Sequence, residues 1–342
     1  MNVTTANTEK IDEFPHDRAK HATVAAVVIG RNEGDRLVRC LKSLQHRAMP
    51  VIYVDSGSTD GSIENAVQLG AEVVRLDSNI PFTAARARNA GLQRLRDAGW
   101  HGPVQFVDGD CEIEAGWIEA ARDRLAADPR LGIVAGRRRE RFPDRSVFNR
   151  LCDAEWDTPI GPALAVGGDM MAQTGALAAI GGFRDEMIAG EEPEMCLRLR
   201  EAGGSIERLD LPMTVHDADM HRFGQWWRRA RRAGHAFAEG NWLHGDRPEA
   251  FWRREVRRAV LWAMLLPAAI LLAMLVLGPW ALLGLLLYPL QIARLAMRMG
   301  GDREALIRAG FLTLSKFPEA QGIAEFHLRR LWGRRAGLIE YK

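Results

Sequence analysis

Two carboxylates separated by one glycine, Asp108-Gly109-Asp110, close a run of strand-forming residues, Val104-Gln105-Phe106-Val107. At the end of a strand, both acids can turn toward one point. Hard oxygen ligands of that kind suit Mg2+ or Mn2+, above all when substrate phosphates complete the coordination shell. A divalent cation held there would neutralise charge building on a departing diphosphate. An Asp-x-Asp triplet alone is a weak signal, because most acidic turns are merely solvated, and its place after a strand is what gives it weight. A second acid, Asp55, lies in Val54-Asp55-Ser56-Gly57-Ser58-Thr59-Asp60-Gly61, between a strand and a helix start. Ser58 or Asp60 is placed to cap that helix, and Asp55 to accept hydrogen bonds from a nucleobase or ribose. Arg86, Arg88 and Asn89, on a helix expected to begin near Phe82, can reach the same crevice.

These groups need a scaffold, and the flanking sequence supplies one. Val24–Ile29, Val51–Asp55, Glu72–Arg75 and Val104–Asp108 read as buried parallel strands. Asp35–Leu44, Gly61–Leu69 and Phe82–Asp97 between them carry helical periodicity. Such alternation predicts an α/β fold, a mostly parallel sheet with helices on both faces. Ligands in these folds bind beyond the carboxyl ends of the strands. The polar groups Arg31-Asn32-Glu33, Asp55-Ser56-Gly57-Ser58 and Asp108-Gly109-Asp110 all follow strands, as that rule requires.

Bulk properties narrow the function class. Basic and acidic residues number 46 and 44 in the 342-residue chain, a net charge of +2 that argues against a dedicated nucleic-acid binder. Cys40, Cys111, Cys152 and Cys196 show no CxxC spacing, so neither a zinc site nor a disulfide framework is expected. The polar first twenty residues, through His16, Asp17 and Lys20, do not read as a cleaved signal peptide. Hydrophobicity is concentrated late. Between Arg258 and Arg294, 35 residues carry no charged side chain. As one helix they would run about 52 Å, well beyond the ~30 Å hydrocarbon core of a bilayer. Gly278-Pro279 near the middle suits the turn of a transmembrane helical hairpin, with a single tilted span or a re-entrant pair as alternatives. Arg253, Arg254, Arg257 and Arg258 before the segment, and Arg294, Arg298 and Arg303 after it, place both ends on the cytoplasmic side.

Together the ordered motifs resemble the family 2 glycosyltransferases of the GT-A fold, over roughly residues 24 to 237. Val27-Val28-Ile29 with Asn32-Glu33 is similar to the family's opening strand, and Asp55 to Gly61 to its nucleotide-contacting turn. Ala87-Arg88-Asn89-Ala90-Gly91 is similar to a donor-holding segment, and Asp108-Gly109-Asp110 to the metal-binding triplet. The resemblance implies an inverting transfer of sugar from a nucleotide-sugar, a UDP-sugar by default, to a lipid-linked or glycan acceptor. It also implies Mg2+ or Mn2+ on Asp108, Asp110 and His216, and donor contacts at Asp55, Ser58, Arg86, Arg88, Asn89 and Asp108. Gly190-Glu191-Glu192-Pro193-Glu194 looks like the motif that supplies the catalytic base, Glu192 or Glu191, with Glu192 preferred by position and Glu194 left as a capping acid. The family commonly has Glu-Asp here, and Ser56 stands where another Asp is more usual.

Gln225-Trp226-Trp227-Arg228-Arg229, on a basic aromatic helix, has two readings. Gln225, Arg228 and Arg229 can hold a diphosphate, or the helix can meet anionic headgroups. The expected organisation is a polar leader over residues 1–22, a GT-A domain over 23–245, a membrane hairpin over 246–300 and an interfacial tail over 301–342. That tail carries Phe317-Pro318-Glu319, Arg329, Arg330, Arg334 and Arg335, and ends in Ile339-Glu340-Tyr341-Lys342. The expected location is the inner membrane with the catalytic domain facing the cytoplasm, in the synthesis of cell-surface polysaccharide or glycolipid. One or two spans are too few for a polymer channel, so single addition is expected. Two other functions fit parts of the pattern. A nucleotidyltransferase would carry a lysine in the loop after the first strand, which Gly30-Arg31-Asn32-Glu33-Gly34 lacks, and a non-catalytic membrane adaptor would not need Asp108, Asp110, Glu191 and Glu192.

Overall fold

The computed structural model describes residues 24–333. The leader over 1–22, Arg334, Arg335 and the closing Ile339-Glu340-Tyr341-Lys342 lie outside the described residues. The described residues divide into two compact units, one of residues 24–187 and 191–219, the other of 188–190 and 220–333.

The first unit opens with the expected alternation: β1 (Ala25–Gly30), α1 (Asp35–Leu44), β2 (Val51–Asp55), α2 (Ser62–Gln68), β3 (Glu72–Arg75), α3 (Ala84–Asp97) and β4 (Pro103–Asp108). There follow β5 (Cys111–Ile113), α4 (Trp117–Ala127), β6 (Leu131–Glu140), α5 (Val147–Glu155), β7 (Gly161–Pro162), β8 (Met170–Gln173), α6 (Thr174–Ala179), α7 (Glu191–Glu201) and β9 (Ser205–His216). The nine strands form one sheet in the order β3-β2-β1-β4-β8-β6-β9-β5, with β7 paired to β9. β1 to β4 are parallel, as their unbroken apolar runs predict. Beyond them β8 runs antiparallel to both β4 and β6, and β5 antiparallel to β9. Apolar side chains cover both faces. Leu37, Leu41, Leu44, Tyr53 and Trp117 pack on one, and Val27, Val54, Leu95, Phe106 and Met170 on the other. Thr83 rather than Phe82 sets the start of α3, its hydroxyl accepting from the Arg86 N–H at 3.1 Å.

The second unit is helical: α8 (Phe223–His244), α9 (Arg253–Val260), a π-helical turn Leu261–Leu265, α10 (Leu266–Leu277), a 3-10 stretch Gly278–Leu286, α11 (Leu287–Arg298), α12 (Arg303–Leu314) and α13 (Lys316–Leu331). The helical run Arg253–Arg298, 46 residues, is long and apolar enough to cross a membrane by length and composition. It reverses at Gly278, whose φ of 58° lies where an L side chain is strained. The Tyr288 hydroxyl donates to the Trp262 carbonyl at 2.6 Å, and a Cβ on Gly284 would fall 2.8 Å from Ile270. The two limbs therefore lie side by side. The stretched rise of a 3-10 helix brings the return limb, 278–298, to about 36 Å against about 37 Å for 253–277.

α8, placed by the sequence within residues 23–245, packs within the second unit. α13, from the segment expected as an interfacial tail, buries Ala320, Ile323 and Phe326 against Ala238 of α8 and Ala259 of α9. α8 and α13 meet backbone to backbone, where a Cβ on Gly322 would fall 2.0 Å from the Arg231 carbonyl and one on Gly234 2.0 Å from that of Glu319.

Candidate active site at the carboxyl end of the sheet

Asp108 ends β4, and its carboxylate accepts from Arg88 of α3 at 2.8 Å. The other end of the Arg88 guanidinium donates to Glu191 of α7, also at 2.8 Å. One arginine, 3% exposed, thus joins an acid of the Asp-Gly-Asp triplet to an acid of the Gly190-Glu191-Glu192 motif, 83 residues apart in the chain. Burial opposes its charge, and the fields of Asp108 and Glu191 outweigh that and raise its pKa. A Cβ on Gly168 would fall 2.3 Å from an Arg88 nitrogen, so a larger residue before Asp169 would displace the guanidinium.

Asp110 faces a different partner. His216, the last residue of β9, places Nε2 3.2 Å from Asp110 Oδ2. Its Nδ1 lies 4.0 Å from Glu140 and makes no hydrogen bond among the described residues. The Trp156 ring meets the imidazole edge-on at 4.7 Å. Burial first, and the Arg138 charge second, lower the His216 pKa to about 4. The ring is therefore neutral at neutral pH, the form that ligates metal. Cys111 shares this corner, and burial pushes its thiol pKa well up, so it stays protonated. One carboxylate and one neutral imidazole make a donor set suited to Mg2+ or Mn2+ with phosphate oxygens in the remaining positions. Beside it, Arg88 pairs with Asp108 and Glu191, and Arg138 with Asp169 and, at 3.8 Å, with Asp108.

Glu192 adjoins Glu191 in the first turn of α7, where the helix dipole favours anions and Pro193 costs no hydrogen bond. It is 5% exposed, and its Oε1 accepts from the Val166 N–H and from the Cys196 thiol, each at 2.9 Å. Burial raises its pKa above the ordinary carboxylate range. Glu194 proves to be more than a capping acid. Fully buried, it takes Arg184 Nε at 2.7 Å and three bonds from Arg198.

Asp55 is spent on its own loop. Its carboxylate accepts from the Gly57 and Ser58 N–H groups at 2.9 and 3.0 Å and from the Tyr53 hydroxyl at 3.1 Å. Ser58 Oγ accepts from the Asn32 N–H, and Asn32 Oδ1 from that of Thr59, which ties the loops after β1 and β2 together. Of the two cap candidates, Asp60 bonds the Ser62 N–H, while Gly61 occupies the cap position. Arg86 donates to the carbonyls of Asp77, Ile80 and Pro81. It and Arg31 stand 5.9 and 5.8 Å from the Phe82 ring centroid. Asn89 is occupied by Phe183 and Asp185. In the second unit, Gln225 accepts from the N–H groups of His221 and Arg222 at the start of α8. Trp227 bonds Gln321 of α13, Trp226 packs edge-on against Phe311 of α12, and Arg228 is exposed. Arg229 also lies on α8.

Sequence reasoning missed Asp169, Arg138 and Glu140. Asp169 accepts from the Asp108 N–H at 3.0 Å and the Thr214 hydroxyl at 2.8 Å, and pairs with Arg138 at 2.9 Å. The only local sign was Gly167-Gly168 beside it, which read as a break in regular structure.

Residues 25–160 match the model of a family described as Glycosyl transferase family 2. Over that stretch, well under half of the chain, the sequence is similar to the family. It is 28% identical over 216 residues to a Pre-mycofactocin glycosyltransferase of Mycobacterium tuberculosis, covering 59% of this chain and 44% of that protein. With human Polypeptide N-acetylgalactosaminyltransferase 15 it shares 26% identity over 198 residues, 48% of this chain and 30% of the human one. The chain thus spans less than half the length of the curated relatives it matches. Among solved structures, a mannosyltransferase from Pyrobaculum calidifontis, in complex with GDP-Man and Mn2+, superposes with a TM-score of 0.52 at 20% identity. That match covers 94% of this chain and 90% of the mannosyltransferase, and the likeness is one of fold. The sheet with flanking helices is the GT-A type expected of family 2.

Proposed function

We propose that this protein is a family 2, inverting glycosyltransferase. It takes a sugar from a nucleotide-sugar and passes it to a lipid-linked or glycan acceptor in the synthesis of cell-surface polysaccharide. The observation that carries the reading is Arg88, which holds Asp108 and Glu191 at one point beside the Asp110–His216 pair. An adaptor would not need such a cluster, and every one of its charges is costly to bury without use.

In this reading Asp110 and His216 hold Mg2+ or Mn2+, with Asp108 beside them. The bound ion supplies charge to draw off the nucleoside diphosphate. Glu192 is the base. Glu191 is neutralised by Arg88, whereas Glu192 has no cationic partner among the described residues, and its raised pKa makes it the better proton acceptor. A Glu192 oxygen takes the proton of the acceptor hydroxyl as that hydroxyl attacks the anomeric carbon. The bond to the diphosphate breaks on the opposite face, and the configuration inverts. Asp55 shapes the turn that receives the nucleotide, leaving Gly57 and Ser58 at its surface, and the Arg31–Phe82–Arg86 stack flanks it. The hairpin 253–298 anchors the protein in the inner membrane with the first unit in the cytoplasm, where a polyprenyl-type acceptor shares its surface.

The test is nucleoside diphosphate release by membranes containing the protein, with UDP-sugars and then GDP-Man as donors and lipid extract as acceptor, with and without Mn2+. Release that needs donor, acceptor and Mn2+ is expected. In Asp110→Ala it falls by about 100-fold or more and the Mn2+ requirement moves to higher concentration. Unchanged release by that variant removes the metal assignment.

A further inference from the structure

We propose that a cavity at the base of the hairpin in the second unit holds the phosphate headgroup of an anionic membrane lipid. The cavity is about 400 Å3, in the size range of small-ligand sites. Four cationic side chains line it: Arg258 at the end of α9, Arg294 and Arg298 on α11, and Lys316 at the start of α13. No acidic residue is among its lining. Lys316 pairs with Glu319 at 2.6 Å, but Arg258, Arg294 and Arg298 have no ion-pair or hydrogen-bond partner for their side chains among the described residues.

Sequence position explains why these charges meet. Arg258 and Arg294 are the two residues that bound the 35-residue uncharged segment. Folding back at Gly278 brings its two ends together, so the charges collect where apolar hairpin gives way to polar chain. In a bilayer that level is occupied by phosphate headgroups, and basic side chains gather there. Three unpaired guanidinium groups at one cavity repel one another, and a phosphate, which accepts paired N–H bonds from arginine, relieves that repulsion.

The rest of the lining selects a lipid over a free ion. Leu261, Trp262 and Leu295 supply an apolar wall, and Gln291 supplies a neutral donor. Nearby Leu265, Leu271 and Leu272 of the first limb are exposed, an apolar surface on which acyl chains can lie once the headgroup is seated. The site stands on the second unit alone, so a protein without transferase activity would leave it intact.

Full-length protein in a neutral detergent is titrated with dioleoyl phosphatidic acid or dioleoyl phosphatidylcholine, and retained lipid is counted by native mass spectrometry. Phosphatidic acid is expected to bind at least tenfold more tightly. The double variant Arg294→Gln/Arg298→Gln is expected to lose about tenfold or more of that affinity, and Arg294→Lys/Arg298→Lys to keep most of it. Equal binding of the two lipids overturns the proposal, as does a Gln variant that binds like the parent. Inorganic phosphate that displaces phosphatidic acid at equal concentration also overturns it, since the cavity would then read an ion and not a lipid.

Discussion

Arg88 in the first unit is buried and bonded at 2.8 Å to both Asp108 and Glu191, whereas Arg258, Arg294 and Arg298 in the second are exposed with no ionic partner among the described residues. The contrast follows from solvation. A guanidinium removed from water is tolerable only where the fold supplies counter-charge and acceptors in fixed places. At a surface, water serves instead, and the side chain stays available to a partner from outside. The first unit therefore builds its electrostatics internally, as a site that must be ready before substrate arrives, and the second leaves its charge to be completed by its surroundings.

The sharpest way to break this comparison is at the buried acid assigned to the chemistry. Glu192→Gln keeps the shape and the Val166 hydrogen bond but cannot take a proton, so transfer should fall by about 100- to 10,000-fold with donor affinity little changed. Parent-like turnover in a coupled diphosphate assay would hand the role to another group. Next comes Arg88→Met, which strands two carboxylates beside one another. A loss of about 3 kcal/mol is expected in chemical denaturation, the low end for a broken buried pair because Asp108 is 29% exposed. Arg294→Gln, the matching change in the second unit, should move the same measurement by less than about 0.5 kcal/mol. Equal effects would erase the distinction.

A smaller effect tests the cost of burial at Glu192. Its folded pKa is raised, mainly by desolvation, so this group stabilises the protein most at pH below the unfolded carboxylate value. That contribution is lost as pH rises through the folded value. The Gln variant escapes the loss. Its thermal midpoint relative to the parent should be higher at pH 7.5 than at pH 4, while the parent's acid limb of kcat/KM lies above the usual carboxylate range. A midpoint difference that is flat with pH would mean the carboxyl is not desolvated. Last, Gly322→Ala pushes a methyl group toward the Arg231 carbonyl and forces α8 and α13 apart, at a cost of about 1–3 kcal/mol. Hydrogen exchange should rise in α8 and α13 and stay unchanged in β1 to β4.

The first four strands were legible because each is a short apolar run ended by polar residues, a pattern that local sequence carries in full. The same holds for the uncharged segment and the reversal at Gly278. The cap of α3 was misplaced by a residue or so, since Phe82 and Thr83 both sit at the edge of the helical pattern and only the hydroxyl can satisfy an end N–H. That the Gln225 side chain accepts from two backbone N–H groups at the start of α8 is a contact nothing in a linear motif reveals.

The sequence by itself determined which residue types stand after which strands, and hence that acids, arginines and a histidine would gather at one edge of a sheet. Tertiary structure alone decided their partners: Asp110 with His216, 106 residues apart, Arg88 with both Asp108 and Glu191, and Asp169 with Arg138. The reason is physical. Periodicity and caps depend on neighbours within a few residues, whereas the pairing of buried charges depends on distances across strands and helices that no local stretch encodes.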